Sequence, residues 1–284
     1  MNVAQPKTQR PKVLESFRPI TDDEFGRFRE LIFRKAGISM ADEKKVLVSG
    51  RLSKRLRHYH LNTFEQYYQL VRNTQQYPSE MQVMVDLLTT NETYFFREPN
   101  HFEFLRQHLK ESRPNGTFRI WSAACSSGEE VYTLAMTLAE ALPHKTWEVV
   151  GSDVSQRMLD HCQKAVYPLS RRGSMSDYYL RQYCLKGIRQ QEGYFLVERF
   201  LRSRCTFHQV NLIEPLPNLG LFDAIFLRNV MIYFNRDTKQ KVIQKLLQQL
   251  KPNGLLFIGH SESLNGLDHQ AKLIRSSIYR KQCE

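Results

Sequence analysis

The sequence lacks several features that would each fix a function class. Its five cysteines, Cys125, Cys162, Cys184, Cys205 and Cys283, are odd in number and form no C-x-x-C pair. That argues against a disulfide framework and a zinc ribbon, and it suits a reducing cytosol. No run approaches the roughly 18 apolar residues of a membrane span. The opening stretch, MNVAQPKTQRPKVLESFRP, is polar and basic without an apolar core, so it is not a secretory signal. The nine histidines show no metal-ligand spacing. His58 and His60, two apart, would point in different directions on a helix, and no metal is expected. Acid is also scarce: 29 Asp and Glu face 41 Lys and Arg, a net charge of +12. Such a surplus favours an anionic partner, whether nucleic acid, a membrane surface or an acidic protein.

What is present divides the chain in two. Residues 1–15 form an expected loose tail, and 16–90 an expected helical domain. Thr21 and Glu24 make a capping box ahead of Phe25, Phe28, Leu31 and Ile32, and Gly37 supplies a stop. Val48, Leu52, Leu56 and Tyr59 recur at helical spacing in the next segment, and TFEQYYQLVRN and PSEMQVMVDLLTT predict two further helices. From residue 117 strands alternate with helices: TFRIWSA, EEVYTLAMTLAEAL, TWEVVGSDVS, RMLDHCQKAVY, CTFHQVNL, FDAIFLRNV, a helix over 238–250, and GLLFIGHSES. Alternation of this kind predicts a parallel sheet with crossovers. AKLIRSSIYRKQ predicts an antiparallel hairpin at its edge. About 171–206 breaks the alternation and is expected to be an inserted flap of short strands, made basic by Arg199, Arg202 and Arg204.

Ligands of such sheets sit beyond the carboxyl ends of the strands. The first strand–helix turn, WSAACSSGEE (121–130), is built of small residues that let backbone approach a ligand. It has one glycine where a phosphate cradle would have three, and Glu129 and Glu130 open the helix. They would oppose a phosphate and welcome a cation, although glutamate at a helix start also simply suits the dipole. The second strand ends in Asp153, placed to accept hydrogen bonds from ribose hydroxyls. Ribose with positive charge and no phosphate fits S-adenosylmethionine; an NAD site would want the missing glycines. Asn211 and Asn229 end the third and fourth strands on the same crevice, where asparagine can also merely start a turn.

NETYFFREP (91–99), WSAACSSGEE, the Asp153 strand end, FDAIFLRNVMIYF (222–234) and LKPNGLLFIGHSES (250–263) together resemble the chemotaxis receptor methyltransferases of bacteria. The resemblance covers most of the chain. It implies a Rossmann-like α/β methyltransferase sheet with an antiparallel edge hairpin, a small all-helical N-terminal domain, a methyltransferase domain over 91–284 and the β flap within it. It implies methyl transfer from S-adenosyl-L-methionine to receptor glutamates, giving γ-methyl esters and the product S-adenosyl-L-homocysteine. On this analogy Asn91, Thr93, Arg97, Glu129, Asp153, Asn211, Leu212, Asn229 and Val230 line the cofactor, and Arg97 and Tyr233 stand nearest the reacting carboxylate. The implied partner is the acidic helical bundle of a membrane chemoreceptor, with a C-terminal tether peptide at the flap in some members. A monomer in the cytoplasm, recruited to the receptor array, is expected.

Lys44, Lys45, Arg51, Lys54, Arg55 and Arg57 fall in fifteen residues without an acid. Such a run is commonly a solvated face; an acidic helical substrate would make Lys44, Arg51, Lys54, Arg55 and Arg57 a docking surface. Arg97 could equally pair with Glu98 or Glu103, and Tyr233 could pack in the core beside Phe234. Two rival functions remain open from the residues. A nucleic-acid methyltransferase shares the charge and fold, but R-N-V-M stands where an adenine-N6 enzyme has N/D-P-P-Y/F, and no cysteine fits a cytosine-C5 nucleophile loop. A non-catalytic S-adenosylmethionine sensor is the other.

Overall fold

A computed structural model describes residues 18–112 and 114–282. The expected tail at 1–15 and Cys283 lie outside the described residues. Four helices come first: α1 (Asp22–Ala36), α2 (Lys45–His58), α3 (Phe64–Arg72) and α4 (Glu80–Leu88). The capping box forms as expected, with the Thr21 side chain accepting from the Glu24 amide and Glu24 from that of Thr21. Gly37 closes α1 at φ 71°. A side chain there would also meet Ile213 at 2.5 Å, so the glycine serves both the turn and the close approach of the sheet domain. Phe28, Ile32, Val48, Leu52, Leu56 and Tyr67 build a core belonging to these helices alone.

The second unit follows as α5 (Asn100–Ser112), β1 (Phe118–Ser122), α6 (Glu129–Ala141), β2 (Trp147–Asp153), α7 (Gln156–Lys164), β3 (Val166–Pro168), α8 (Asp177–Tyr183), β4 (Cys184–Lys186), β5 (Tyr194–Val197), α9 (Arg199–Arg202), β6 (Cys205–Gln209), β7 (Phe222–Leu227), α10 (Arg236–Gln248), β8 (Leu250–Ile258), β9 (Ala271–Arg275) and β10 (Ile278–Lys281). Seven strands form one sheet in the order β6-β2-β1-β7-β8-β10-β9. The first five are mutually parallel, and the closing hairpin runs antiparallel, as expected. Alternate residues serve the two faces. Ile120, Ala224, Phe226 and Phe257 join the α6 side, while Trp121, Ile225, Leu227 and Leu256 join the α10 side.

The insertion differs in detail from its sequence pattern. The helix expected through Tyr167 stops at Lys164, because Ala165 turns left-handed at φ 54°. The strand at Val166–Pro168 then pairs with β5, so the small antiparallel sheet, ordered β3-β5-β4, starts ahead of residue 171. Residues 199–202 form a helical turn instead of strand.

Candidate active site

A cavity of about 490 Å³ opens where the carboxyl ends of β1, β2, β6 and β7 face the helical domain. Its position follows from the sheet order: β1 and β7 are adjacent, and the chain diverges from them to opposite sides. The backbone around it is unusual. Phe96, Glu98, Ser126 and Asn229 all have φ between 48° and 59°. Positive φ in non-glycine residues costs about 1–3 kcal/mol each and gathers at functional sites. Gly128, at φ 96°, caps α6, and a Cβ there would lie 2.9 Å from the Cys162 sulfur.

Most residues expected at the cofactor share this wall: Asn91, Thr93, Arg97 and Asp153 from one side, Asn211, Leu212, Asn229 and Val230 from the other, with Tyr233 at the mouth. Asp153 is buried, and its two oxygens each accept one backbone N–H, from Ser126 and Ser155, both at 2.9 Å. Burial raises its pKa against those hydrogen bonds. Each oxygen retains a lone pair, which suits a diol hydroxyl. Asn211 donates to the Lys35 carbonyl at 2.7 Å and so ties the sheet to α1.

Glu129 stands just beside this wall. Its side chain is buried, accepts from the Ser127 hydroxyl at 2.7 Å and faces an adjoining cleft, not the main cavity. Burial pushes its carboxyl up. Glu130 reaches the main cavity but is neutralised by Arg228 at 2.7 Å.

Arg97 pairs with neither Glu98 nor Glu103. Its guanidinium donates to the Glu92 carbonyl at 2.7 Å and has no carboxylate partner among the described residues. Glu103 is taken by Arg106 and Glu98 by Arg228. Tyr233 is half-buried on the cavity wall, while its neighbour Phe234 enters the core.

The basic run separates. Lys44, Lys54 and Arg57 are exposed on or beside α2. Arg51 bends into the site and donates to the carbonyls of Leu88 and Thr89. Arg55 corrects the docking expectation: it grips buried Glu80 with two bonds of 2.7 Å, and Tyr59 and Tyr67 donate to the same carboxylate. It is a strut of the helical core, since a buried carboxylate must be paired.

The sequence pattern did not single out Arg228, Glu98 or Glu262. Arg228 is buried and bridges Glu130 and Glu98, and it also donates to the carbonyl of Arg97. Burial alone would raise Glu98, but Arg228 holds it down at about 2. Glu98 accepts from the Asn229 side chain, and Glu262 accepts from the Asn229 and Gly259 amides. The signal available was a charge, Arg228, directly ending the apolar run AIFL (224–227). His101 Nε2 contacts the Ser277 hydroxyl at 2.8 Å, and its buried Nδ1 makes no hydrogen bond, with the Glu98 carboxylate 3.6 Å away. Burial, with the charge of Arg228, pushes His101 down to about 3. Glu98, His101 and His260 have ligand atoms within 4.8 Å of one another. The Arg228 guanidinium, 2.9 Å from Glu98, opposes a second cation there.

The comparisons with known proteins agree with this geometry. Residues 91–280 match the family model "CheR methyltransferase, SAM binding domain", and residues 23–89 match "CheR methyltransferase, all-alpha domain". The chain is 40% identical over 264 residues to the chemotaxis protein methyltransferase of Salmonella typhimurium, covering 92% of this chain and 90% of that protein. It is 38% identical to that of Escherichia coli, with 92% and 91% covered. It is 39% identical to chemotaxis protein methyltransferase 2 of Pseudomonas aeruginosa, with 91% and 93% covered. No helix among the described residues is long and apolar enough to cross a membrane.

Proposed function

Because the chain belongs to the CheR family of S-adenosylmethionine-dependent chemotaxis methyltransferases, with both its SAM-binding and its all-alpha domains, we propose that it esterifies glutamate side chains on the cytoplasmic helices of membrane chemoreceptors, for chemotactic adaptation. The observation that carries this reading is Arg97: a guanidinium on the cavity wall, supported among the described residues by a neutral carbonyl and no carboxylate. Such a group is available to an incoming carboxylate.

The residues present fit the cofactor. Asp153 offers paired acceptors to ribose hydroxyls, the small residues 123–126 admit a nucleoside at close range, and no phosphate cradle competes. Asn91, Thr93, Arg97, Asp153, Asn211, Leu212, Asn229 and Val230 would hold it. Glu129 would join them from the adjoining cleft, by way of the Ser127 turn. Bound there, S-adenosylmethionine supplies an electrophilic methyl group on a sulfonium. The chain's own residues supply alignment. A glutamate side chain, with a pKa near 4.3, is already ionised at neutral pH, so no general base is required. Arg97 can hold one carboxylate oxygen in its planar fork and leave the other to react, and Tyr233 can add a hydrogen bond. Opposite charges cancel during the transfer, so the apolar part of the lining, with Phe102, Leu88 and Val230, favours it by lowering the local water content.

The division into a helical domain over 16–90 and a methyltransferase domain over 91–284 follows the separate cores. A cytoplasmic monomer recruited to the receptor array accords with this reading. The exposed edge of β4 suits a receptor C-terminal tether peptide added as a further strand. The test is incubation with methyl-labelled cofactor and receptor-bearing membranes. Label released as methanol by alkali is the expected result; an alkali-stable product overturns the ester.

A further inference from the structure

A second cleft, of about 620 Å³, adjoins the cofactor cavity and shares Arg51, Thr89, Asn91 and Glu92 with it. Three elements bring cations to its wall: Arg51 from α2, Arg157 from α7, and Arg171 from the segment after β3, with His161 beside them. None of the three arginines has a carboxylate partner among the described residues. Arg51 donates to the carbonyls of Leu88 and Thr89, at 3.0 and 2.9 Å. Arg157 donates to that of Asp86 at 3.3 Å, and Arg171 to that of Thr93 at 2.7 Å. These bonds orient the guanidinium groups while leaving other N–H donors of each unspent. Burial, together with the like charge of Arg157, holds the Arg51 guanidinium below its ordinary range. Gathering three guanidinium groups is unfavourable unless enough opposing charge is near. Of the acids on the wall, Glu129 is attracted to Arg171, but burial still pushes its carboxyl up, and Glu92 is exposed; a bound anion would supply the rest.

We propose that this cleft binds a phosphate-bearing small molecule. Phosphate is favoured over a protein carboxylate by geometry. Guanidinium forks arriving from three separate elements match a group with three acceptor oxygens, whereas a carboxylate presents two in one plane. The volume lies within the range of small-molecule sites. Met158, Val166 and Pro168 give the cleft an apolar side against which a ring can rest. The site adjoins the crevice that takes the methyl donor and shares the wall of Asn91 with it, while Arg157 and Arg171 stand outside that crevice's lining. It does not depend on the identity of the methyl acceptor.

The test is calorimetric titration of the full-length protein with inorganic pyrophosphate, and with adenosine 5′-diphosphate in the presence of saturating S-adenosylhomocysteine, which keeps the nucleotide out of the main cavity. Saturable one-to-one binding is expected, weakened at least tenfold in Arg157→Ala and in Arg157→Ala/Arg171→Ala. S-adenosylhomocysteine affinity, measured separately, should stay within twofold in Arg157→Ala, whose side chain is exposed. Tighter binding of the diphosphate nucleotide than of pyrophosphate identifies a nucleotide; equal binding identifies the phosphate group alone. The proposal is overturned if neither anion binds saturably, if both variants bind as the parent does, or if only poly-L-glutamate binding responds to the substitutions. Failure to bind S-adenosylhomocysteine would count against the methyltransferase reading and leave the pyrophosphate titration to decide this one.

Discussion

Arg97 is held by one neutral acceptor, and that arrangement makes a specific demand on its chemistry. An alanine there removes both the charge and the fork. Loss of one such oriented donor typically lowers turnover by about 10²–10³-fold, and Arg97→Ala should show a loss of that order in receptor esterification. Arg97→Lys should recover only part of it, because an ammonium is a point charge without planar geometry; full recovery would show that charge alone suffices. His101 makes a different prediction. It is buried, and its folded pKa is pushed from 6.5 to about 3. The unfolded chain therefore binds a proton between those values that the folded chain does not. Stability must rise with pH across that window and fall by up to about 1.4 kcal/mol per unit as pH drops from 6.5 towards 3. His101→Gln, which keeps a polar group opposite Ser277 but cannot titrate, should flatten this slope in denaturant melts at successive pH values. An unchanged slope would place the acid sensitivity elsewhere.

Elements, more than single side chains, decide how the cavity keeps its shape. Gly128 ends the loop after β1 with a left-handed backbone and lies where a Cβ would press on Tyr167 and Cys162. Gly128→Ala should cost about 1–3 kcal/mol and weaken S-adenosylhomocysteine binding in calorimetry. Arg228, at the end of β7, joins Glu98 before α5 to Glu130 in α6. Arg228→Met would leave two acids in a largely buried setting without a counter-charge, a loss of about 3–5 kcal/mol readable as a lowered denaturation midpoint. Glu130→Gln in the same chain should restore part of it. The sequence made the strands and α6 legible because apolar periodicity is local, and Asp153, Asn211 and Asn229 were legible because strand ends define the crevice. The Arg228 network was not, since Glu98, Glu130 and Arg228 meet only after the sheet has ordered itself β1-β7. The same limit misassigned Arg55: a basic residue in a basic run carries no local sign that Glu80, 25 positions on, waits beneath it. Ala165 likewise gave no warning of its left-handed turn, so the small sheet began earlier than the pattern of Gly187 and Gly193 suggested.

At the scale of the whole molecule, the surplus of +12 is spent unequally. Part is internal, in Arg55 and Arg228, where it neutralises buried acids. Part surrounds the two clefts, in Arg51, Arg97, Arg157 and Arg171. A further part lies on and beside α2, where Lys44 and Lys54 are exposed, and Lys44 also lines the cavity. Charges of that last kind contribute little to folding, because water and salt screen them. Their effect is on encounter: an acidic helical bundle is drawn in at long range, and the attraction fades as the screening length shortens to about 8 Å at physiological salt. Receptor esterification measured at low substrate should therefore slow as salt is raised from about 0.05 to 0.3 M, a range over which the screening length shrinks markedly. Lys54→Glu should slow the low-salt rate and reduce its salt dependence, with saturating turnover and thermal stability close to the parent. The saturating rate belongs to Arg97 and the cavity, which this substitution does not touch. A Lys54→Glu chain with the parent's full salt dependence would remove α2 from the docking surface and leave the arginines around the cavity mouth as the source of attraction.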